Sequence, residues 1–350
     1  MIRIWFVVPG LLTSLTGGSI YDRRIVEGLR ARGWTVDVRE LQDTFPHPSP
    51  SALDEARRAL AVIPSGTTVL IDGLVMGAIP DVVEVERSRL HLVAVVHLPL
   101  AADVGLDADT TARLLASERR ALAAASRIVV TGSATVDLLR DYDVPRAKIT
   151  LVEPGTDGAP LARGSGATVR QLLSVATLNP VKGHAILFQA LAGVANTQWR
   201  LTCAGSLTRH PPTVARLRAL LDELDLENRV ELVGDLTREA LAAFYDRADL
   251  FVLGTLRETY GMAVAEALAH GLPVISSRTG AIADLVGDEA GILIPPGDAA
   301  QLSIAIARVL DDPALHARLA AGARRVRDRL PTWEQAVDRM VAALVDVPPG

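Results

Sequence analysis

Along the whole chain, short runs of β-branched and aliphatic residues alternate with longer Ala-, Leu- and Arg-rich segments whose apolar positions recur at helical spacing. This alternation is the mark of βαβ units, since a parallel strand can be followed by another only after a crossover long enough to return to the same edge. It restricts the chain to an α/β fold built on buried parallel sheets. In the first half the strand candidates are Ile2–Val8, Thr35–Arg39, Thr68–Ile71, Leu92–His97, Arg127–Thr131 and Ile149–Val152, with helices beginning near Ser19 and covering Ser51–Ala61 and Thr110–Ala125. A second series follows: Gln171–Ala176, Arg200–Ala204, Arg229–Val233, Leu250–Leu253, Pro273–Ser276 and Gly291–Ile294.

Between the two series, Glu153–Gly166 (EPGTDGAPLARGSG) is dense in Gly and Pro and has no periodicity, which reads as a linker. A chain of 350 residues is also too long for one compact core. The expected organisation is two Rossmann-like, doubly wound parallel-sheet domains, residues 1–158 and 159–330, facing a cleft. The amphipathic segment Thr332–Leu344, within residues 331–350, is expected to pack back on the first domain.

Composition removes several classes of function. A net charge of −5 argues against a general nucleic-acid binder, which needs a dominant basic face to displace counterions. The single cysteine, Cys203, allows neither an intramolecular disulfide nor a cysteine zinc cluster within one chain. No apolar stretch reaches the roughly 18–20 residues that span a bilayer, and the N-terminal MIRIWFVVPG runs straight into a strand, so a cytoplasmic location is expected. Lysine occurs only at Lys148 and Lys182 among 36 basic residues. A lysine retained in a glycine-flanked loop therefore draws notice.

The most informative segment is LGTLRETYGMAVAEALAHGLPV, Leu253–Val274, in which Glu258 and Glu266 lie eight residues apart on either side of a strand-to-helix turn. Gly261 opens the helix, so Glu258 precedes its N-terminus and Glu266 lies about one and a half turns inside it. Backbone N–H groups at Tyr260, Gly261, Met262 and Ala263 offer a site for an anion or a sugar oxygen. Carboxylates suit hydroxyl-rich ligands because they accept charge-assisted hydrogen bonds. A solvated helix charge is the ordinary reading of a lone glutamate, but Glu266 sits between Ala265 and Ala267 in an otherwise apolar helix.

The Glu, seven residues, Glu pattern resembles the hallmark of the GT-B retaining glycosyltransferases of family four, the glycosyl transferases group 1. The resemblance extends through Gly261, His270-Gly271-Leu272-Pro273-Val274, Thr279-Gly280, Asp284-Leu285-Val286, Gly291 and Pro296-Gly297-Asp298, which fall in family order. It includes VPRAKITLVEPGTD, Val144–Asp157, as the usual lead-in to the second domain. It implies that Glu266 binds ribose hydroxyls and that Glu258 meets the hydroxyls or reacting face of the transferred sugar.

A second segment, SVATLNPVKGH (Ser174–His184), is a strand end followed by a turn with Lys182 and Gly183. Loops at the carboxyl ends of parallel strands face the ligand crevice, where a cation can neutralise a departing diphosphate. The resemblance assigns Lys182 that role. The family usually carries an Arg about five residues earlier, and that position here is Thr177, which can hydrogen-bond phosphate but brings no charge; Arg257 or Arg209 are the candidate substitutes. The loops Gly205–Leu207 and Gly234–Leu236 end strands on the same edge, and the resemblance places them beside the base and diphosphate.

In the first domain PGLLTSLTGGSIY, Pro9–Tyr21, places Gly17 and Gly18 just before a helix, where backbone approaches phosphate readily. A lone Gly-Gly is a turn in most proteins; here it matches the family's donor-phosphate and acceptor loop. His97 ends a buried strand at the carboxyl edge, as fitting for a satisfied edge residue as for a ligand group. The resemblance places a His at this strand end near the reacting sugar, making His97 the candidate for the catalytic centre with Glu258 and Lys182. In the front-face mechanism associated with retaining members, the leaving phosphate helps deprotonate the acceptor, so His97 positions or stabilises charge.

Competing patterns are weaker. Asp107-Ala108-Asp109 resembles a D-x-D metal site but fits a helix cap. There is no G-x-G-x-x-G after the first strand, no Walker lysine and no H-E-x-x-H. No metal and no cofactor are expected. Arg113, Arg119 and Arg120 on one helix suit either a solvated face or peripheral contact with an anionic lipid surface. The expected function is metal-independent transfer of a hexose, with retention, from a UDP- or GDP-sugar to a hydroxyl acceptor. The alternatives are an inactive sugar-nucleotide-binding protein and a synthase using a sugar phosphate acceptor.

Overall fold

The computed structural model describes residues 2–194 and 198–345. The chain forms two compact units, Met1–Gly155 with Pro331–Gly350, and Thr156–Leu330. It leaves the first unit after Gly155 and returns at Pro331.

Unit 1 contains β1 (Arg3–Pro9), β2 (Thr35–Leu41), β3 (Thr68–Asp72), β4 (His91–Val96), β5 (Arg127–Val130) and β6 (Ile149–Leu151). They form one six-stranded sheet in the order β2-β1-β3-β4-β5-β6, and every pairing is parallel. Unit 2 repeats the plan with β7 (Arg170–Val175), β8 (Trp199–Ala204), β9 (Val230–Gly234), β10 (Leu250–Leu253), β11 (Val274–Ser277) and β12 (Gly291–Ile294). Its order is β12-β11-β10-β7-β8-β9, again parallel throughout. Each expected strand is present, with ends displaced by no more than two residues.

Both sheets are buried on two faces, which explains why their strands read as continuous apolar runs. Along β1, Ile4, Phe6 and Val8 enter one core cluster and Val7 the other, following the two-residue period of a strand. In unit 2 the same alternation sends Leu172 to one cluster and Leu173 to the other.

Two helix starts differ from the sequence expectation because side-chain caps move them. The helix expected near Ser19 runs Gly17–Ala31, since Thr16 accepts a hydrogen bond from the Ser19 amide and so becomes the N-cap. Gly17 and Gly18 are thus its first turn and do not precede it. The helix expected from Thr110 runs Ala108–Ala124, with Asp107 accepting from the Thr110 amide at 2.8 Å as its cap. On that helix Arg120 pairs with Asp81 at 2.6 Å and Glu84 at 2.7 Å, and Arg119 pairs with Asp143, so these charges are answered within the protein. No helix among the described residues is long and apolar enough to cross a membrane.

The last helix, Trp333–Val345, lies on the helix Gly17–Ala31 in unit 1. Val337, Met340, Ala343 and Leu344 join Phe6, Tyr21 and Ile25 in one cluster. At Gly28 the two helices are so close that a Cβ would lie 2.3 Å from Val337 Cγ2. Met340 is fully buried here, and removing its side chain opens a cavity that the packed helices cannot close. Met340→Ala should destabilise unit 1 by about 2–5 kcal/mol, read as an earlier urea transition; an unshifted transition would mean that this helix is not part of the folded core.

Candidate functional site

A parallel sheet whose strand order reverses opens a crevice, because the connections from the two central strands leave toward opposite faces. In unit 2 the reversal falls between β7 and β10, and in unit 1 between β1 and β3. The candidate residues lie along the carboxyl edges of these two sheets.

In unit 2, Lys182 follows β7 and Glu258 follows β10, and Lys182 Nζ donates to Glu258 Oε2 at 2.7 Å across the reversal. The side chains are 24% and 16% exposed, so the pair is accessible to a ligand yet sheltered enough for its charges to matter. The loops carrying them are stitched together: the Leu256 amide donates to Val181 O at 2.8 Å, and Thr255 Oγ1 donates to the same oxygen at 3.2 Å. Gly183 makes this possible. It has φ +66°, and a Cβ there would lie 1.9 Å from Gly254 O.

Glu258 is also fixed from the other side, where the Ala281 amide donates to Thr259 O at 3.1 Å. The helix that follows, Met262–Ala269, has Gly261 as its N-cap at φ +98°, with no side chain satisfying its first amides. Those amides, from Met262 and Ala263 onward, lack intrahelical acceptors. Tyr260 is buried beneath the turn with Ala265 and Ala281.

Inside that helix, Glu266 Oε2 accepts a hydrogen bond from Tyr245 OH at 3.0 Å. Burial first, and the neighbouring Glu266 second, push the Tyr245 phenol well above its ordinary pKa, so it remains a donor. The Tyr245 ring stacks on His270 at 4.7 Å, and His270 Nδ1 lies 3.0 Å from Pro160 O. A column of side chains therefore holds Glu266 in one orientation.

Thr177 sits in the turn after β7, where its carbonyl accepts from the Asn179 amide at 2.9 Å. Gly205 packs against this turn, since a Cβ on it would meet Ala176 O at 2.0 Å. The Gly205 amide in turn donates to Gly234 O at 2.9 Å, so the ends of β7, β8 and β9 form one ledge. Arg209 is exposed beyond Gly205, and Arg257 is half-buried beside Glu258.

In unit 1, His97, expected to end its strand, is instead the first residue after β4, which stops at Val96. Its Nε2 lies 3.2 Å from Asp22 Oδ1 and 3.4 Å from Asp72 Oδ2. Both carboxylates are buried, 2% and 3% exposed, whereas the His97 side chain keeps 21% of its surface open. Asp72 ends β3 and is held by the Leu74 amide at 2.8 Å. Asp22 comes from the helix that follows β1, where Gly18, Tyr21 and Asp22 share one face. A Cβ on Gly18 would lie 3.2 Å from His97 Cδ2, and the Tyr21 ring meets the imidazole edge-on at 5.3 Å. Tyr21 OH is anchored on Val152 O at 2.9 Å.

Burial alone would drive the imidazole neutral, but the two carboxylates outweigh it and raise His97 to about 10. Burial also raises Asp22, to about 6, against the pull of His97. Both carboxylates face the same ring nitrogen, Nε2, and favour the protonated form of His97. The ligand-type atoms of Asp22, Asp72 and His97 lie within 4.8 Å of one another, and this is the group with metal-ligand spacing among the described residues. The 3.2 Å separation from Asp22 is a hydrogen bond, and Asp72 at 3.4 Å is within ion-pair range.

Sequence reasoning missed Asp22, Asp72 and Tyr245. The signal for Asp22 was present: it lies on the apolar stripe of its helix with Ile25, Val26 and Leu29, where an acid needs a buried partner. Asp72 directly follows the buried run Val69–Ile71. Tyr245 carried no such signal. The structure groups Gly17, Gly18 and His97 in unit 1, and Thr177, Lys182, Gly205, Gly234, Glu258, Gly261 and Glu266 along one edge in unit 2.

The cluster makes a pH prediction. With its folded pKa raised above the ordinary 6.5, His97 contributes stability that is fully present below 6.5 and is lost as pH rises toward about 10. Imidazole carbon–proton NMR should show His97 still protonated at pH 8, and Asp22→Asn should bring its midpoint down by a unit or more. A native His97 that titrates near 6.5 excludes the paired imidazolium.

Residues 163–326 match the profile of the family described as glycosyl transferases group 1. The MMP alpha-(1->4)-mannosyltransferase of Mycolicibacterium hassiacum is 26% identical over 329 residues, covering 88% of this chain and 78% of the relative. The D-inositol 3-phosphate glycosyltransferase of Kineococcus radiotolerans is 30% identical over 252 residues, 63% of this chain and 57% of the relative. The chain thus spans less than two thirds of that relative's length. Sucrose-phosphate synthase from Thermosynechococcus elongatus superposes with a TM-score of 0.82 over 98% of both chains at 23% identity. Anabaena HepE in complex with UDP and glucose gives 0.80 over 98% of this chain and 99% of its own, at 17%. Two parallel six-stranded sheets and these likenesses together give the GT-B fold, and residues 163–326 carry the match to the glycosyl transferases group 1 family.

Proposed function

We propose that the protein is a retaining glycosyltransferase that moves a hexose from a UDP- or GDP-sugar to a hydroxyl acceptor without a metal ion. The observation that carries the reading is the Lys182–Glu258 pair at the reversal of the second sheet. An ammonium suits the charge that develops on a leaving diphosphate, and a carboxylate suits hydroxyls. Both are present, 2.7 Å apart, on loops locked to each other. Glu266, aimed by Tyr245, is suited to ribose hydroxyls, and the amides after Gly261 to anionic or sugar oxygens.

Unit 1 carries polar groups of its own at its carboxyl edge. The amides of Gly17 and Gly18 open a helix and lack intrahelical acceptors. His97, charged between two aspartates, is suited to donate a hydrogen bond to an oxygen of the transferred sugar. Such a group cannot accept the acceptor's proton. In the front-face route the glycosidic C–O bond to phosphate breaks as the acceptor oxygen attacks the same face, and the hydroxyl proton passes to the departing phosphate oxygen. The two carboxylates 3.2 and 3.4 Å from His97 Nε2, which raise its pKa, favour this route over general-base catalysis.

Thr177, where the family carries a cation, favours a second reading in which the chain binds sugar nucleotides without transferring sugar. Nucleotide diphosphate release from a panel of UDP- and GDP-sugars separates the two. Lys182→Ala should lower transfer about 10²–10³-fold while leaving the thermal midpoint nearly unchanged, because a partly exposed pair adds little stability. Equal loss of activity and stability would count against a role on the diphosphate. Product NMR should show the donor's anomeric configuration retained; inversion removes the front-face mechanism.

A further inference from the structure

The loops at the carboxyl edge of the first sheet, residues 10–16, 42–49, 73–79, 97–107, 131–135 and 152–155, contain neither lysine nor arginine. The full chain holds 36 such residues. Those of this unit's loops lie at the opposite edge, as Arg32, Arg87, Arg89, Arg140, Arg146 and Lys148. The acidic side chains of these loops include Asp43, Asp103 and Asp107, all exposed; the cations nearest to them from other elements are Arg39 near the end of β2, 4.9 Å from the Trp5 ring centre, and Arg339, 3.4 Å from Glu153. The His97 imidazole is already matched by two carboxylates. Among basic residues of the adjoining helix, Arg23 and Arg24 lie in the second turn of Gly17–Ala31, and the Arg24 guanidinium is 5.5 Å from the Trp333 ring centre.

The same edge exposes large aliphatic side chains. Leu11 is 61% exposed and Leu15 50% exposed, both in the loop between β1 and the Gly17 helix. Leu74, 38% exposed, follows Asp72 at the end of the adjacent strand β3. Two of them are close to the His97 cluster along the chain: Leu15 lies three residues before Gly18, where a Cβ would lie 3.2 Å from the imidazole, and the Leu74 amide donates to Asp72. Elsewhere on the sheet's loops, His97 is followed by half-buried Leu98, Val104 and Leu106.

We infer that the acceptor is an uncharged hydroxyl compound with an apolar portion, which Leu11, Leu15 and Leu74 receive beside His97, and not a phosphorylated sugar or polyol. A phosphate dianion is recognised by cationic forks or point charges, and this edge offers acids in their place. An alkyl or aryl portion gains by leaving water against exposed leucines, several-fold for each methylene buried. The inference rests on the reading that the first unit serves the acceptor, and it names the class that this site takes.

The test is calorimetric titration of the full chain with four probes: glucose, glucose 6-phosphate, methyl β-D-glucoside, and octyl β-D-glucoside below its micelle concentration. Octyl glucoside should bind at least tenfold more tightly than methyl glucoside, and glucose 6-phosphate more weakly than glucose. Leu11→Asp and Leu15→Asp should each cut the octyl advantage severalfold without moving the thermal midpoint. The inference is overturned by tighter binding of the phosphorylated sugar, by that binding depending on Arg23, by no octyl advantage, or by an advantage that survives both substitutions. Sugar-nucleotide hydrolysis by the same preparations reports on donor use separately. A chain that hydrolyses a donor yet prefers glucose 6-phosphate fails this inference alone, and one that hydrolyses none fails the glycosyltransfer mechanism proposed for it.

Discussion

The reversal of strand order in each sheet is the constraint on which the rest of the molecule depends. Where neighbouring strands send their chains to opposite faces, the backbone cannot close over the carboxyl edge, and a polar crevice is left in an otherwise apolar sheet. Both reversals are occupied by charge. At the second, an ammonium and a carboxylate meet between the ends of β7 and β10. At the first, an imidazole lies between carboxylates carried by the helix after β1 and by the end of β3.

The two clusters differ in how they are built. Lys182 and Glu258 sit on loops whose approach is set by backbone hydrogen bonds and by a glycine that admits a carbonyl where any side chain would collide. Their side chains keep access to water and can re-pair with a ligand. Asp22 and Asp72 are held inside the fold, with no comparable freedom. Taking them out of water is costly, and the cost is offset by the charge they enforce on His97. That difference suits a pair that exchanges partners in the second unit and a group held by fixed neighbours in the first.

The architecture was legible in the residues. Alternating β-branched runs and amphipathic segments located twelve strands to within two residues, because strands buried on both faces admit little else. Helix starts were less accurate at Gly17 and Ala108, where a single side-chain oxygen on Thr16 or Asp107 decides the first turn. The polar residues of the second unit were legible for a related reason. Lys182 and Glu258 each follow a legible strand, β7 and β10, and Glu266 the helix after Glu258, so their positions at strand ends could be read even though their pairing could not.

What the sequence by itself determined is therefore local: strand, turn, helix, and the chemistry that each turn presents. Tertiary structure decided the partners. Asp22, Asp72 and His97 are separated by tens of residues and come from the ends of three different crossovers, so only the parallel registry of β1, β3 and β4 brings them within hydrogen-bonding range. Tyr245 reaches Glu266 in the same way, across the face of the second sheet. The protonation of His97, and with it the division between acid, base and electrostatic roles, follows from burial and neighbours, and these are properties of the packed chain.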